Sequence, residues 1–312
     1  METTSIESYR ANGKLLLSGE YFVLAGAKSL AIPTKFGQTM QVVRTNEHFL
    51  YWEAKVCNEH WFKAIFDEEL NIISTDHSSL SEQLKKILLA CINLRDDIKT
   101  IISGSAITTH LEFDTEWGFG SSSTLISLLA QWLGVHPYLL LEDTFGGSGY
   151  DIACATARKS ITYQLKDKVP CKSPIEFSPS FADRLFFIYT GHKQNSRNEI
   201  NRIDSNAFST EDIVKINEIT DQLITCESLE NFQKYMVQHE TIVSKAVGLQ
   251  TVKSERFNDF SGEIKSLGAW GGDFILALSD KEESYVSEYF KNKGLTTMFS
   301  FNELIYVDSH DE

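Results

Sequence analysis

Three glycine-rich segments stand directly ahead of apolar runs: GFGSSST (118 to 124), GGSGYDIA (146 to 153) and SLGAWGGDFILAL (266 to 278). This placement constrains the fold more than any other feature of the chain. A helix N-terminus leaves N–H groups unpaired and carries partial positive charge. Glycines ahead of it let the backbone curl so that several N–H groups converge on one point. Serine hydroxyls add donors, and one of them can ligate a cation. The combination suits phosphate or magnesium phosphate, although a serine-capped helix after a flexible turn has the same local sequence. The segment is neither a Walker A loop, since no G-x-x-x-x-G-K-[ST] occurs, nor a G-x-G-x-x-G, since position 123 is Ser. Three such loops in one acidic chain point to a shared polyanion site.

Two charged residues could serve such a site. Asp151 falls where a turn meets a helix; it is either an N-terminal helix charge or a group that orients or deprotonates a substrate hydroxyl. Lys14 opens the apolar run KLLL; it is either a solvated strand-edge charge or a cleft lysine that neutralises phosphate.

The bulk numbers narrow the partners. Lys plus Arg is 29 and Asp plus Glu is 43, a net charge of -14, which argues against a nucleic-acid surface. The five cysteines, Cys57, Cys91, Cys154, Cys171 and Cys226, form no C-x-x-C, so neither a zinc site nor a disulfide framework is expected, and a reducing cytoplasm suits them. No apolar stretch reaches membrane-span length, and METTSIESYR does not read as a secretory leader. The expected partner is a small molecule, bound by a monomer or homodimer without nucleic acid or membrane.

Periodicity predicts a strand, a turn at Ser18-Gly19-Glu20 and a second strand within 14–26, then a hairpin of 38–44 with 48–56. Helices are expected over 79–94 and 121–133, a short helix after a glycine turn within GSGYDIACATARKS (147 to 160), and strands over 107–113 and 161–165. Residues 167–183 hold three of the five prolines and read as the connection between halves, giving domains 1–180 and 181–312. The second half reads as strand 184–191, helices near 196–207, 211–225 and 229–248, strand 273–279, a helix near 281–292, and strands near 295–300 and 303–307. Strands and helices mix without regular βαβ alternation, so the class is α+β.

The motifs, in this order, resemble those of the GHMP kinase superfamily. GKLLLSGEYFVLAGAKSLAIPT (13 to 34) is similar to its N-terminal motif, GFGSSST to its ATP-phosphate loop, GSGYDIACA (147 to 155) to the region with a catalytic aspartate, and GAWGGDF (268 to 274) to its C-terminal motif. Gly19-Glu20-Tyr21, Ser148-Gly149-Tyr150-Asp151 and Gly271-Gly272-Asp273 resemble the phosphomevalonate kinase subgroup. The resemblance implies a two-domain fold, with an N-terminal half like ribosomal protein S5 domain 2 and a ferredoxin-like C-terminal half. It implies ATP-dependent transfer of a γ-phosphoryl group to an acidic isoprenoid precursor, phosphomevalonate or mevalonate, with ATP and Mg2+. The same fold leaves open a catalytically silent ATP-binding regulator or a diphosphomevalonate decarboxylase.

By the same resemblance, Lys14 and Asp151 are the catalytic residues. Gly118, Phe119, Gly120, Ser121, Ser122 and Ser123 hold ATP phosphates, with Ser122 on magnesium. Ser18, Glu20, Tyr21, Gly147, Ser148, Lys193, Arg197, Gly271 and Gly272 surround the acceptor. The chain departs from the family pattern at Glu116-Trp117, which replace a frequent Pro, at Thr124 in place of Ala, and at Trp270 in place of Gly, which would narrow the mouth of the site. The family's magnesium-binding glutamate has no certain counterpart; Glu142 is shifted. Lys193 and Arg197, after strand 184–191, are either solvated helix charges or a cradle for an acidic acceptor. His239-Glu240 is not H-E-x-x-H, because position 243 is Val, and reads as a helix surface pair. Trp52, Trp61 and Phe62 read as core or as an adenine-pocket wall.

Overall fold

A computed structural model describes residues 6–192, 208–268 and 270–306. Its contacts divide the chain into two units that interleave in sequence. The first comprises residues up to Gly13, Phe36–Thr115 and Gly120–Thr156; the second comprises Lys14–Lys35, Glu116–Phe119 and the chain from Ala157.

The long strands β1 (Ile6–Ser18) and β2 (Ser29–Arg44) contribute to both units. In the first unit, β3 (Leu50–Val56), β4 (Glu59–Phe66), β5 (Ile72–Thr75) and β6 (Ser105–Leu111) build a sheet in the order β5-β4-β3-β6-β2. Strand β6 is buried at every second residue, the mark of a sheet with one covered face. Helices Ser78–Leu94, Ser121–Leu133, Pro137–Thr144 and Tyr150–Ala155 share its core, where Trp52 and Ile107 meet Leu88 and Leu129. Trp52 and Phe62 are buried in this core and Trp61 packs on it.

The expected hairpin of 38–44 with 48–56 does not form. Strand β6 lies between β2 and β3, antiparallel to one and parallel to the other. The hairpin partner of β3 is β4, joined by Cys57-Asn58, both at positive φ (49° and 70°), as a two-residue turn matched to strand twist demands. Alternation identifies strands but not their partners, and this turn contains no glycine to betray it.

In the second unit, the first three residues of β2 pair with β7 (Ile161–Lys166), which pairs with β8 (Val169–Pro174). Residues 169–174 of the expected connection 167–183 are therefore a strand. The hairpin turns at Asp167-Lys168, both at positive φ, and Pro170 and Pro174 are tolerated because β8 closes the strand order. The expected strand within 21–26 is the short 3-10 helix Phe22–Ala25.

A second sheet of four antiparallel strands has the order β10-β11-β9-β12, from β9 (Leu185–Tyr189), β10 (Glu263–Leu267), β11 (Phe274–Leu278) and β12 (Met298–Ser300). The central strands LFFIY and FILAL are apolar almost throughout because both faces are covered. Helix Glu283–Asn292 packs Val286 and Phe290 into the cluster holding Ile188 and Ile275, and helix Leu229–Val247 packs on helix Thr210–Ile224 and on β10. Ser209 and Ser228 cap the last two helices named, each accepting a hydrogen bond from an N–H in the first turn. The strand expected at 303–307 is instead helix Phe301–Leu304, started by a Ser300/Glu303 capping box. The helix expected near 196–207 lies outside the described residues.

Candidate functional site

In the second unit, Lys14 is tied to the phosphate-type loop by two bonds. Its backbone N–H donates to the Phe119 carbonyl at 3.0 Å, and its Nζ donates to the Gly118 carbonyl at 2.8 Å. Gly118 adopts φ 67°, a left-handed conformation that glycine reaches without strain. Phe119 is fully buried, stacked on Phe274 with centroids 4.8 Å apart and edge-on to Trp117 at 5.6 Å. Trp117 also meets Phe299 at 5.2 Å, so the Glu116-Trp117 departure anchors this loop in an aromatic cluster.

The first unit holds the rest of the loop. Helix Ser121–Leu133 has the predicted bounds and starts from left-handed Gly120 with no side-chain cap, so its first-turn N–H groups lack intrahelical acceptors. Ser123 is buried and its hydroxyl donates to the Gly120 carbonyl at 2.8 Å. Thr124 is buried as well, its hydroxyl bonded to Gln38 Oε1 at 2.7 Å, so this departure alters the support of the helix and not its open end. Ser121 and Ser122 remain partly exposed. Helix Tyr150–Ala155 packs against this helix and also starts from a left-handed glycine, Gly149.

Asp151, in the first turn of that second helix, is partly exposed; its Oδ1 accepts the Ile152 N–H at 3.0 Å. Burial, with the Asp151 charge adding to it, pushes the Tyr138 hydroxyl up to about 12. Gly147 is exposed and Ser148 partly so. Among the described residues no group of three or more His, Cys, Asp or Glu is placed to hold a metal ion, and Glu142 is exposed.

The residues expected around the acceptor divide sharply. Ser18 is fully buried, bonded to the Thr220 hydroxyl at 2.8 Å and to the Leu30 N–H. Tyr21 is buried and its hydroxyl accepts the Trp270 N–H at 2.7 Å. Gly271 donates its N–H to Ser266 Oγ at 3.0 Å, and Gly272 is buried. Lys193 and Arg197 lie outside the described residues. Trp270 does not narrow a mouth: its indole packs with Tyr21 and Phe22 and donates to the Gln250 carbonyl at 2.9 Å.

Glu20 leads to a cluster that contains His239 and Glu240, the pair that sequence reading placed on the surface. His239 and Glu240 are buried, at 0% and 3% exposure, and face Glu20 and Lys265, which are buried too. Lys265 Nζ donates to Glu20 Oε1 and to the Ser266 carbonyl, and lies 3.5 Å from Glu240 Oε1. Glu240 Oε2 accepts the Ser266 N–H at 3.2 Å. His239 Nε2 accepts the Gly19 N–H at 2.8 Å, which places its proton on Nδ1, and lies 3.3 Å from Glu20 Oε2. Burial pushes the Glu240 carboxyl up to about 7 against the pull of Lys265, and raises that of Glu20 in the same way. Burial, aided by the charge of Lys265, holds His239 well below the usual imidazole range, so it is neutral.

Asp273 is the residue that sequence reading missed at the loop itself. It is 5% exposed, at φ 42°, and a side-chain carbon on Gly118 would overlap its carboxylate. The signal was present in GGDF, an acidic residue closing a glycine turn before a buried strand.

No family model matches the chain, nor does any curated protein. Solved structures do. The mevalonate kinase of Methanococcus jannaschii aligns with TM-score 0.69 at 16% identity, over 98% of this chain and 99% of that one. The Streptococcus pneumoniae phosphomevalonate kinase, in complex with phosphomevalonate and AMPPNP, aligns with TM-score 0.68 at 16% identity, over 94% and 99%. The galactokinase of Lactococcus lactis, complexed with galactose, aligns with TM-score 0.65 at 13% identity, over 98% and 94%. The chain thus has the α+β fold of the GHMP kinases over nearly its whole length.

Proposed function

We propose that this chain is an ATP-dependent small-molecule kinase that transfers a γ-phosphoryl group to phosphomevalonate or mevalonate. One observation supports this reading most: Lys14 is bonded twice to Gly118-Phe119, the residues that lead into the uncapped, glycine-started helix at Ser121. A chain with a kinase fold thereby fixes its lysine to a loop whose N–H groups suit phosphate.

Phosphoryl transfer asks a protein for alignment and charge stabilisation more than for covalent chemistry. Backbone N–H groups between Gly118 and Ser122 are assigned to the ATP phosphates. The partly exposed Ser122 hydroxyl is assigned to magnesium, which when bound neutralises phosphate charge. Lys14 is assigned to the γ-phosphate. Asp151 is assigned to the acceptor: it takes the proton of an alcohol, whereas a phosphomonoester oxygen, already largely ionised near neutrality, needs only positioning. Gly147, Ser148, Lys193, Arg197, Gly271 and Gly272 keep their proposed place at the acceptor. For Ser18, Glu20 and Tyr21 the burial favours a supporting role instead. Residues 1–180 and 181–312 remain the proposed functional halves.

The test is ADP release with mevalonate, phosphomevalonate, homoserine and galactose, with product masses measured. Stimulation by phosphomevalonate and a diphosphate product would support the reading; no stimulation by any acceptor would remove it. Carbon dioxide release would point to a decarboxylase.

A further inference from the structure

Asp273 sits at a position where an aspartate is costly. Its φ of 42° is a region that L-residues other than glycine enter seldom, with aspartate and asparagine less penalised than most. Its carboxylate is buried, which disfavours charge. A third glycine after Gly271-Gly272 would make the same turn without either penalty.

The surroundings fix where the carboxylate points. The Asp273 backbone is held at both of its polar groups: its N–H donates to the His192 carbonyl at 2.8 Å, and its carbonyl accepts from the Thr190 N–H at 2.9 Å and hydroxyl at 3.1 Å. The side chain is thereby aimed between two glycines. On Gly118 a side-chain carbon would overlap Oδ2 outright, and on Gly268 it would lie 2.9 Å from the same atom. The next residue, Phe274, stacks on Phe119. Adjacent residues of one turn therefore press on adjacent residues of the loop. Gly118 is also the residue whose carbonyl receives the Lys14 ammonium, so a carboxylate and an ammonium meet on one glycine.

We propose that Asp273 is a positioning residue for phosphoryl transfer, which acts through Gly118 by fixing that residue's peptide and balancing the charge of the lysine bound to it. The proposal rests on the kinase reading given above. It explains why this turn carries a carboxylate where a glycine would suffice, and why neither Gly118 nor Gly268 has room for a side chain.

The test uses the full chain, AMPPNP binding by calorimetry, and turnover with whichever acceptor the panel identifies. Asp273→Asn keeps the shape and removes the charge. It is expected to lower kcat about 10- to 100-fold, the scale of a misplaced reacting group, while AMPPNP affinity and melting temperature stay close to wild type. Asp273→Gly relieves the backbone and should melt no lower than wild type, yet lose turnover as well. Gly118→Ala should weaken AMPPNP binding, and adding Asp273→Gly should restore part of that binding without restoring kcat. A merely structural aspartate would instead change melting temperature and turnover together. Wild-type kcat and KM in both Asp273 variants would overturn the proposal while leaving the kinase reading intact. A wild-type chain that binds AMPPNP but turns over no acceptor, or that binds none, would overturn the kinase reading and this proposal with it.

Discussion

The second unit secures its glycine-rich segments by two opposite means. The loop at Gly118-Phe119 is held by aromatic stacking, with Phe119 on Phe274 and Trp117 beside both. The turn at Gly19-Glu20 is held by buried charge, through His239, Lys265 and Glu240. Stacking is short-ranged and indifferent to pH. A buried ion cluster withdraws its members from water at a cost of several kcal/mol each, and repays this only while every partner is present. One region should therefore tolerate a change of shape gradually, whereas the other should weaken sharply when its cation is removed and should respond to protons.

The sharpest way to break this contrast is Lys265→Met. It leaves Glu20 and Glu240 buried without their cation, and a loss of about 3–5 kcal/mol in unfolding free energy is expected near pH 8. At pH 5 the loss should be smaller, because the Glu240 carboxyl, raised to about 7, is then neutral and burial raises that of Glu20 in the same direction. Urea titrations at the two pH values measure it, and an equal loss at both would contradict the ionic account. Phe119→Ala should cost about 3 kcal/mol through the cavity it leaves, and Phe119→Leu less than about 1.5 kcal/mol. Neither value should change between pH 5 and 8.

A third region separates support from chemistry. Asp151 stands on a glycine-started helix of the first unit and is partly exposed. Asp151→Asn is expected to retain ATP affinity and stability and to lose about 10²-fold or more in turnover with an alcohol acceptor. An unchanged rate would reassign it to the helix terminus alone.

The same contrast explains what the sequence could reveal. The glycine feature is local: GFGSSST lies in one stretch, and helix Ser121–Leu133 begins and ends where its pattern predicts, whereas the stacking partners of Trp117 and Phe119, Phe274 and Phe299, come from far along the chain. The ionic cluster is assembled from afar, with Lys265 and Glu20 separated by 245 positions. One local clue to it existed. His239 and Glu240 fall on the stripe made by Phe232, Met236 and Val243, the buried face of helix Leu229–Val247, and a charged pair on such a stripe must find partners inside. Strand pairing was hidden for a related reason. Strand β3 announces itself by alternation, but its neighbour β6 arrives only after β4, β5 and two helices.

The gentlest test concerns protons. Glu240 titrates near 7 when folded and near the ordinary carboxyl value when unfolded, so the folded chain binds more protons between these limits. Its contribution is complete below the unfolded value and disappears as pH rises through 7, with a slope of at most about 1.4 kcal/mol per pH unit. Glu20 acts in the same direction, whereas neutral His239 acts in the opposite one: below its ordinary value the unfolded chain takes the proton and stability falls. Wild-type stability alone therefore mixes these slopes with those of the other shifted carboxyls, such as Glu112. The difference between wild type and Glu240→Gln isolates one, and it should decline between pH 5 and 7.5 and then level off. The exposed i,i+4 pair Glu211–Lys215 provides the control: Glu211→Ala should leave both the melting temperature and this pH difference unchanged, because water already solvates both partners. A flat difference curve for Glu240→Gln would mean that solvent reaches the cluster as freely as it reaches that surface pair.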